Sequence, residues 1–356
     1  MRSVIATLST QHSCFHYHTQ NTFLTTTLIP IQSLSFRTPN HNFRLLCFSS
    51  DPSPPPLPPP PLVVVGSANA DIYVEIDRLP REGETLAARS GQTHAGGKGA
   101  NQATCSAKLN YPTYFVGQVG DDAYGSLVTD ALRGGGVRLD GLTVVPSAST
   151  GHAVVMLQSN GQNSIVYIGG ANLSCWHSIL PRQHLDLVAQ AGIVLLQREI
   201  PDFVNAQVAQ AARNAGVPVV LDAGGMDGPL APELLNFVDI LSPNETELGR
   251  LTGMPTENFE EIARAALKCH ELGAKKVLAK LGHKGSALFV EGEKPIQQPA
   301  ILSKTVIDTT GAGDTFTSAF AVALVEAAAA CLCVQVKGAS PSMPDRISVM
   351  DLLNCQ

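Results

Sequence analysis

With 30 acidic against 24 basic side chains in 356 residues, the chain carries a formal charge of −6, which excludes the basic footprint of a nucleic-acid binder. Its longest apolar runs, Ala319 to Val325 and Ala327 to Val334, are separated by Glu326 and hold few large side chains, so a buried helix is expected rather than a membrane span. The eight cysteines form no C-x-x-C pair and have no ligand spacing to histidine, which points to reduced, buried thiols.

Residues 1–50 contain no Asp or Glu, only Arg2, Arg37 and Arg44 as cations, and many hydroxyl side chains, including Thr25-Thr26-Thr27. This is the composition of an organelle transit peptide. The excess of hydroxyls over arginines favours a plastid, with the mitochondrion as the alternative. Asp51 to Leu62 (DPSPPPLPPPPL) is nearly all proline, so residues 51–61 are expected to form an extended linker. About 295 residues then remain, enough for one large core with a small appended layer over residues 62–356.

Leu62 to Val65 is a β-branched run stopped by Gly66, the pattern of a strand buried on both faces. Ile72, Val74 and Ile76 alternate with Tyr73, Glu75 and Asp77, the period of a half-covered strand. A helix is expected over Ala100 to Leu109, a strand over Tyr114 to Val119, a helix over Ala123 to Arg133, and strands over Ala153 to Leu157 and Ser164 to Ile168. The second half alternates more regularly. Strands are expected at Gly192 to Leu196, Val217 to Leu221, Val238 to Leu241, Lys276 to Lys280 and Ser286 to Val290, and helices at Val204 to Asn214, Glu245 to Thr252 and Ile262 to Leu272. This βαβ rhythm predicts an α/β fold: a mainly parallel central sheet with helices on both faces, and a smaller one-sided sheet within about residues 69–95 and 150–170. Ligands in such folds sit beyond the carboxyl ends of the strands, so the glycine-rich segments there carry the chemistry.

Asp308-Thr309-Thr310-Gly311-Ala312-Gly313-Asp314 opens the helix-compatible run from Thr315. Its glycines and the free N–H groups of a helix start suit an anion hole at Gly311, Ala312, Gly313 and Asp314, and Asp314 is placed to take the proton of an attacking hydroxyl. A second glycine turn, His94-Ala95-Gly96-Gly97-Lys98-Gly99-Ala100-Asn101, also enters a helix. Gly66-Ser67-Ala68-Asn69-Ala70-Asp71 follows the first strand with the donor and acceptor mixture that sugar hydroxyls require. In Ser242-Pro243-Asn244-Glu245-Thr246-Glu247, Ser242 reads as an N-cap, Pro243 as the first helical residue and Glu245 as the capping-box partner, leaving Asn244 and Glu247 on one helix face. Asn172-Leu173-Ser174 and Asn244-Glu245-Thr246 also match glycosylation sequons, which arise often by chance.

Together, G-S-A-N-A-D, G-G-K-G-A-N-Q-A, S-P-N-E-T-E and D-T-T-G-A-G-D resemble the motifs of the ribokinase-like sugar kinases in the phosphofructokinase-B family, a likeness that covers residues 62–356. The resemblance implies ATP-dependent phosphorylation of the 5-hydroxyl of D-ribose, with another sugar or nucleoside kinase, or a non-catalytic plastid binding protein, as alternatives. It places Asn69, Asp71, Gly96, Gly97, Lys98, Asn101 and Glu199 around the sugar and makes Asp314 the base. Asn244, Lys280, Gly282, Lys284, Gly285 and Gly313 would serve the nucleotide. Glu247 would hold Mg²⁺ through water, and Asp308, Thr310, Gly338 and Ser342 would build a K⁺ site. It also implies a homodimer paired through lids formed by Ile72 to Ile76 and Thr85 to Thr93.

One departure stands out from that pattern. Glu326 runs directly into Ala327, where the resemblance predicts a turn and part of another helix, so roughly a dozen residues, about three helical turns, are missing. With no Gly or Pro from Thr315 to Gln335, the two halves are expected either to fuse into one helix of about 20 residues or to unwind. Both outcomes would disturb the wall where the family holds adenine and threaten the cation loop near Lys337 to Ser342.

Overall fold

The computed structural model describes residues 59–159, 162–226, 228–306 and 309–333. The transit-peptide segment, most of the linker, and Asp308, Gly338 and Ser342 lie outside the described residues.

Among them the chain runs β1 (Leu62–Val65), β2 (Asn69–Ile76), β3 (Ser90–Gly96), α1 (Lys98–Lys108), β4 (Thr113–Gly120), α2 (Ala123–Gly134), β5 (Arg138–Val145), β6 (Gly151–Gln158) and β7 (Asn163–Ile168). A single 3₁₀ turn, Gly170–Asn172, then leads to α3 (Arg182–Ala189), β8 (Ile193–Arg198), α4 (Asp202–Asn214), β9 (Val219–Gly225), α5 (Pro232–Leu235) and β10 (Ile240–Ser242). The rest is α6 (Glu245–Thr252), α7 (Phe259–Glu271), β11 (Lys276–Lys280), a 3₁₀ turn at Gly282–Lys284, β12 (Ser286–Val290), β13 (Ile296–Gln298) and α8 (Ala312–Cys333).

The main sheet has the order β13-β12-β11-β10-β9-β8-β1-β4-β5, parallel from β11 through β5, with β12 and β13 added antiparallel at one edge. Strict alternation sorts its side chains between two cores. Val63 and Val65 of β1, with Val194 and Leu196 of β8, face Val204 and Val208 of α4 and Ile262 of α7. Leu62, Val64, Ile193 and Leu195 face Ala100 and Ala103 of α1, Val128 and Leu132 of α2, and Val322 and Val325 of α8. Each side chain fully buried in this way stabilises the fold by roughly 1.5–3 kcal/mol, which is why β1 is apolar at all four positions.

A four-stranded sheet, β3-β2-β6-β7, stands apart from the main one. It grows from β1 through Gly66–Ala68, so β2 carries Asn69 and Asp71 out of the core.

Several expectations need correction. The first concerns the start of α6, whose N-cap is Asn244, with Glu247 completing the capping box. Ser242 is still the last residue of β10, its buried hydroxyl facing Thr317 Oγ1 at 3.4 Å. Pro243 O accepts from Lys280 N at 2.9 Å, which holds the chain in the sheet and delays the helix. The thiols also differ from expectation in part, since Cys269 is buried but Cys105 is half-buried and Cys175 exposed. At the Glu326–Ala327 join the chain takes the fused course: α8 is one helix of 22 residues, about 33 Å at ~1.5 Å per residue. No described helix is long and apolar enough to cross a membrane.

Candidate active site

Two cavities meet at the carboxyl ends of β1, β8, β9, β10 and β11. The larger, of about 1970 Å³, is lined by Asn69, Asp71, Gly97, Lys98, Asn101 and Glu199. The smaller, about 410 Å³, is lined by Asn244, Glu247, Lys280, Gly282 and Gly313. Lys98, Gly311 and Asp314 line both.

Local sequence explains the junction. Gly97 has φ of 89°, and a Cβ there would lie 2.9 Å from Asn69 N, so only glycine lets the start of α1 approach the β1–β2 turn this closely. Gly311, at φ of 74°, turns the chain into α8 and sets Asp314 in its first turn. Thr315 N donates to Gly311 O at 2.9 Å as the first helical bond, so the three preceding amides have no partner within the helix. Ala312 N–H, however, donates to Thr309 O at 3.1 Å, which ties one of the four expected anion-hole amides into the turn. Gly313 and Asp314 are left as its helix-derived donors.

Asp314 is 5% exposed, and its carboxylate accepts from Asn101 Nδ2 at 3.0 Å and from Gln102 Nε2 at 3.3 Å. Lys98 Nζ lies 3.5 Å from Asp314 Oδ1 and 3.6 Å from Asp222 Oδ1. Asp222 is wholly buried and binds Lys280 Nζ at 2.7 Å, Thr317 Oγ1 at 3.2 Å and its neighbour Gly224 N at 2.9 Å. Burial alone would raise the Asp222 carboxyl, but the Lys280 and Lys98 ammonium groups hold it down at about 2. Lys98 is pushed down by burial and up by Asp222, Asp314, Glu199 and Glu247, and the carboxylates win. Lys98 thus borders both cavities and Lys280 the smaller one.

The carboxylates of Asp71 and Glu199 stand on the wall of the larger cavity. Glu199 Oε2 accepts from Ser67 Oγ at 2.5 Å and from Lys98 N at 3.0 Å, so the carboxylate also caps the start of α1. Burial nevertheless keeps its carboxyl above the ordinary glutamate value. Asp71 is raised to about 6 by burial first, then by the charge of Glu199, with His94 acting the other way. Gly96 makes room for this carboxylate, because a Cβ there would overlap Asp71 Oδ2. Asn69 Oδ1 accepts from the buried Asn172 Nδ2 at 2.7 Å, and Trp176 Nε1 donates to Asn172 O at 2.7 Å. That burial also rules out Asn172 as a glycosylation acceptor in the folded chain.

On the smaller cavity, Glu247 Oε2 accepts from Asn244 N and Asn244 Oδ1 from Glu247 N, both at 2.8 Å. Burial and then the charge of Asp222 raise the Glu247 carboxyl. Lys284 and Gly285 line neither cavity. Lys284 Nζ reaches Glu245 Oε1 at 3.2 Å instead, and Gly285 serves the turn into β12 at φ of 101°. Thr310 lines the larger cavity. Reasoning from sequence assigned no role to Ser67, Gln102, Asn172, Asp222 and Thr317; of these Ser67, inside the G-S-A-N-A-D step, and Gln102, next to Asn101 in the glycine turn, had a local signal.

The chain matches the pfkB family carbohydrate kinase model over residues 60–346. It is 62% identical to ribokinase of Arabidopsis thaliana across 88% of each chain, and 35% identical to ribokinase of Haemophilus influenzae across 82% of this chain and 98% of that one. A solved structure of Arabidopsis thaliana ribokinase complexed with ribose and ATP superposes with a TM-score of 0.73 at 65% identity, covering 83% of this chain and 99% of the other. This chain therefore belongs to the pfkB family of carbohydrate kinases.

Proposed function

We propose that the protein transfers the γ-phosphoryl group of ATP to the 5-hydroxyl of D-ribose. The observation that carries this is the position of Asp314, on the wall of both cavities at once and beside the Lys98 ammonium. Ribose would occupy the larger cavity, its hydroxyls meeting Asp71, Glu199, Asn69 and Asn101, and the phosphates the smaller. Asp314 removes the proton of the attacking hydroxyl as the O–P bond forms, and ADP leaves through the smaller cavity. Lys98 and the Gly313 and Asp314 amides stabilise the charge spread over the moving phosphoryl oxygens. Likeness to a ribokinase whose structure is complexed with ribose and ATP supports this choice of substrates.

Mg²⁺ fits the chemistry of Glu247, whose Oε2 is used by the capping box while its side chain borders the smaller cavity, an arrangement suited to an ion that keeps its waters. When bound, it would screen the nucleotide phosphates. For K⁺, Thr310 is the described member of the expected set, and activation by this ion is part of the proposal. The exposed Ile165 and Val166 of β7 favour pairing of the small sheets in a homodimer. The acid-free residues 1–50 support a plastid address, and residues 1–60 fused to a fluorescent reporter should carry it there; a diffuse cytosolic signal would reject this.

A coupled ADP-release assay on residues 62–356, with ribose, fructose, adenosine and pseudouridine as acceptors and K⁺ varied, tests the activity. Ribose is expected to be the preferred acceptor. Turnover on another acceptor only would overturn the assignment.

A further inference from the structure

Asn69 is the one neutral amide that β2 brings to the larger cavity, and an amide can present either a donor or an acceptor there. What decides the matter lies behind it. Asn172, in the 3₁₀ turn after β7, is wholly buried, and both ends of its side chain are fixed by one residue: Oδ1 accepts from Ala68 N at 2.9 Å and Nδ2 donates to Ala68 O at 3.1 Å. Rotating this amide by half a turn would set donor against donor and acceptor against acceptor, so its orientation is determined. The remaining Nδ2 hydrogen reaches Asn69 Oδ1 at 2.7 Å, which fixes the second amide in turn. Gly151 of β6 leaves the space for this contact, since a Cβ there would overlap both Asn172 Nδ2 and Asn69 Oδ1.

We infer that Asn172 is a positioning residue that sets substrate specificity by locking Asn69 with its N–H donors toward the sugar. Resting on the sugar-kinase reading above, this gives the pocket a fixed polarity. Asp71 and Glu199 accept from hydroxyls, whereas Asn69 donates to a hydroxyl oxygen. A sugar with an oxygen opposite Asn69 gains a bond that costs no rotation of the amide, whereas one lacking it leaves that side chain with Tyr167, which also bonds it, as its neighbour in the cavity wall.

The test is a double-mutant cycle on ribose affinity by calorimetry, using Asn172→Ala, Asn69→Ala and the double variant of the full chain. Each single variant should weaken binding about 10-fold, the scale of one hydrogen bond and its orientation, and Asn172→Ala should add less than about 2-fold in the Asn69→Ala background. A purely structural role predicts equal losses in both backgrounds and would overturn the inference. Should Asn172→Ala not fold, the wild-type chain still decides the point. Its Asn69 side-chain amide ¹⁵N resonances, assigned by their absence in Asn69→Asp, should shift on ribose addition, and a resonance that ignores saturating ribose refutes the donor role. If wild-type chain binds no ribose, the substrate reading fails first and the inference with it; if it binds and the cycle is additive, only the inference fails.

Discussion

Replacing Asp222 by Asn tests the electrostatic centre of the site most directly. The side chain is fully buried, and the amide oxygen can still accept from Gly224 N, while its Nδ2 takes the place of the carboxylate oxygen that Lys280 Nζ and Thr317 Oγ1 share. What is lost is the negative charge between Lys280, only 8% exposed, and Lys98. The depression of the carboxyl from 3.8 to about 2 corresponds to about 2 kcal/mol of stability at neutral pH, at ~1.4 kcal/mol per unit. That figure covers only the proton on Asp222. Stranding the Lys280 ammonium without a counter-charge adds to it, so the whole loss should reach roughly 3–5 kcal/mol, the range for breaking one side of a buried pair. Lys98 suffers less because Asp314 stays 3.5 Å away. The assay is urea denaturation at pH 7 followed by circular dichroism. Because the folded pKa is depressed, the wild-type advantage is complete above pH ~4 and fades as pH falls toward ~2, so the two proteins should converge in acid. Adding Lys280→Met should recover at least ~1 kcal/mol. A single variant within ~1 kcal/mol of wild type, or a strictly additive double variant, would refute the reasoning.

Asp314→Asn should fold and bind ribose yet lose at least ~10²-fold in turnover, read by calorimetry and ADP release, and near-normal turnover would remove Asp314 as the base. Ribose affinity should fall as pH drops below about 6, up to ~10-fold per unit, as Asp71 takes up a proton in concert with Glu199; Asp71→Asn should flatten that profile. Since Asp71 is raised to about 6, it costs the ligand-free fold stability as pH rises from ~4 to ~6, the opposite sign to Asp222, with Glu199 acting in the same direction, and denaturation across that interval checks it. Inserting about a dozen residues with a turn between Glu326 and Ala327 should raise kinase activity at least ~10-fold, a barrier change of ~1.4 kcal/mol, chiefly through ATP affinity. Ordinary ATP affinity without the insert, unchanged by it, would show that the continuous α8 does no harm.

Where burial is two-sided or strictly alternating, the sequence was readable: Leu62 to Val65, Lys276 to Lys280 and Ser286 to Val290 form strands where their patterns predicted them. The failures have physical causes. In β5 (RLDGLTVV) an edge position leaves most side chains half or fully exposed, so no period survives, and only pairing with β4 makes it a strand. Likewise α3 buries only His184 and Val188, too little for a visible stripe. The glycine turns announced Asp314, Lys98 and Asn101 because close approach to an anion restricts residue type locally. Asp222 announced nothing: it sits near the end of an apolar strand, and its meaning comes from Lys280, which the fold delivers from β11. Asn172 likewise looks like a chance sequon until Ala68 is packed against it. The helix from Glu245 to Thr252 lies where it was expected, but its N-cap was placed two residues early, at Ser242, because Ser-Pro imitates a cap, and only the bond from Lys280 N to Pro243 O shows the strand continuing.

The chain contains a single tryptophan, and its indole N–H is spent on the backbone carbonyl of Asn172. Trp176 is therefore wired, through one residue, to the amide that faces the sugar cavity from the small sheet. Its emission is an optical probe already built into the protein, needing no label. Fluorescence titration can follow occupancy of the cavity without ATP turnover, and in rapid mixing the time course separates sugar capture from any later movement of the sheet. The same probe reports unfolding of the turn that holds Asn172, so binding and local stability can be read from one wavelength on one unmodified chain.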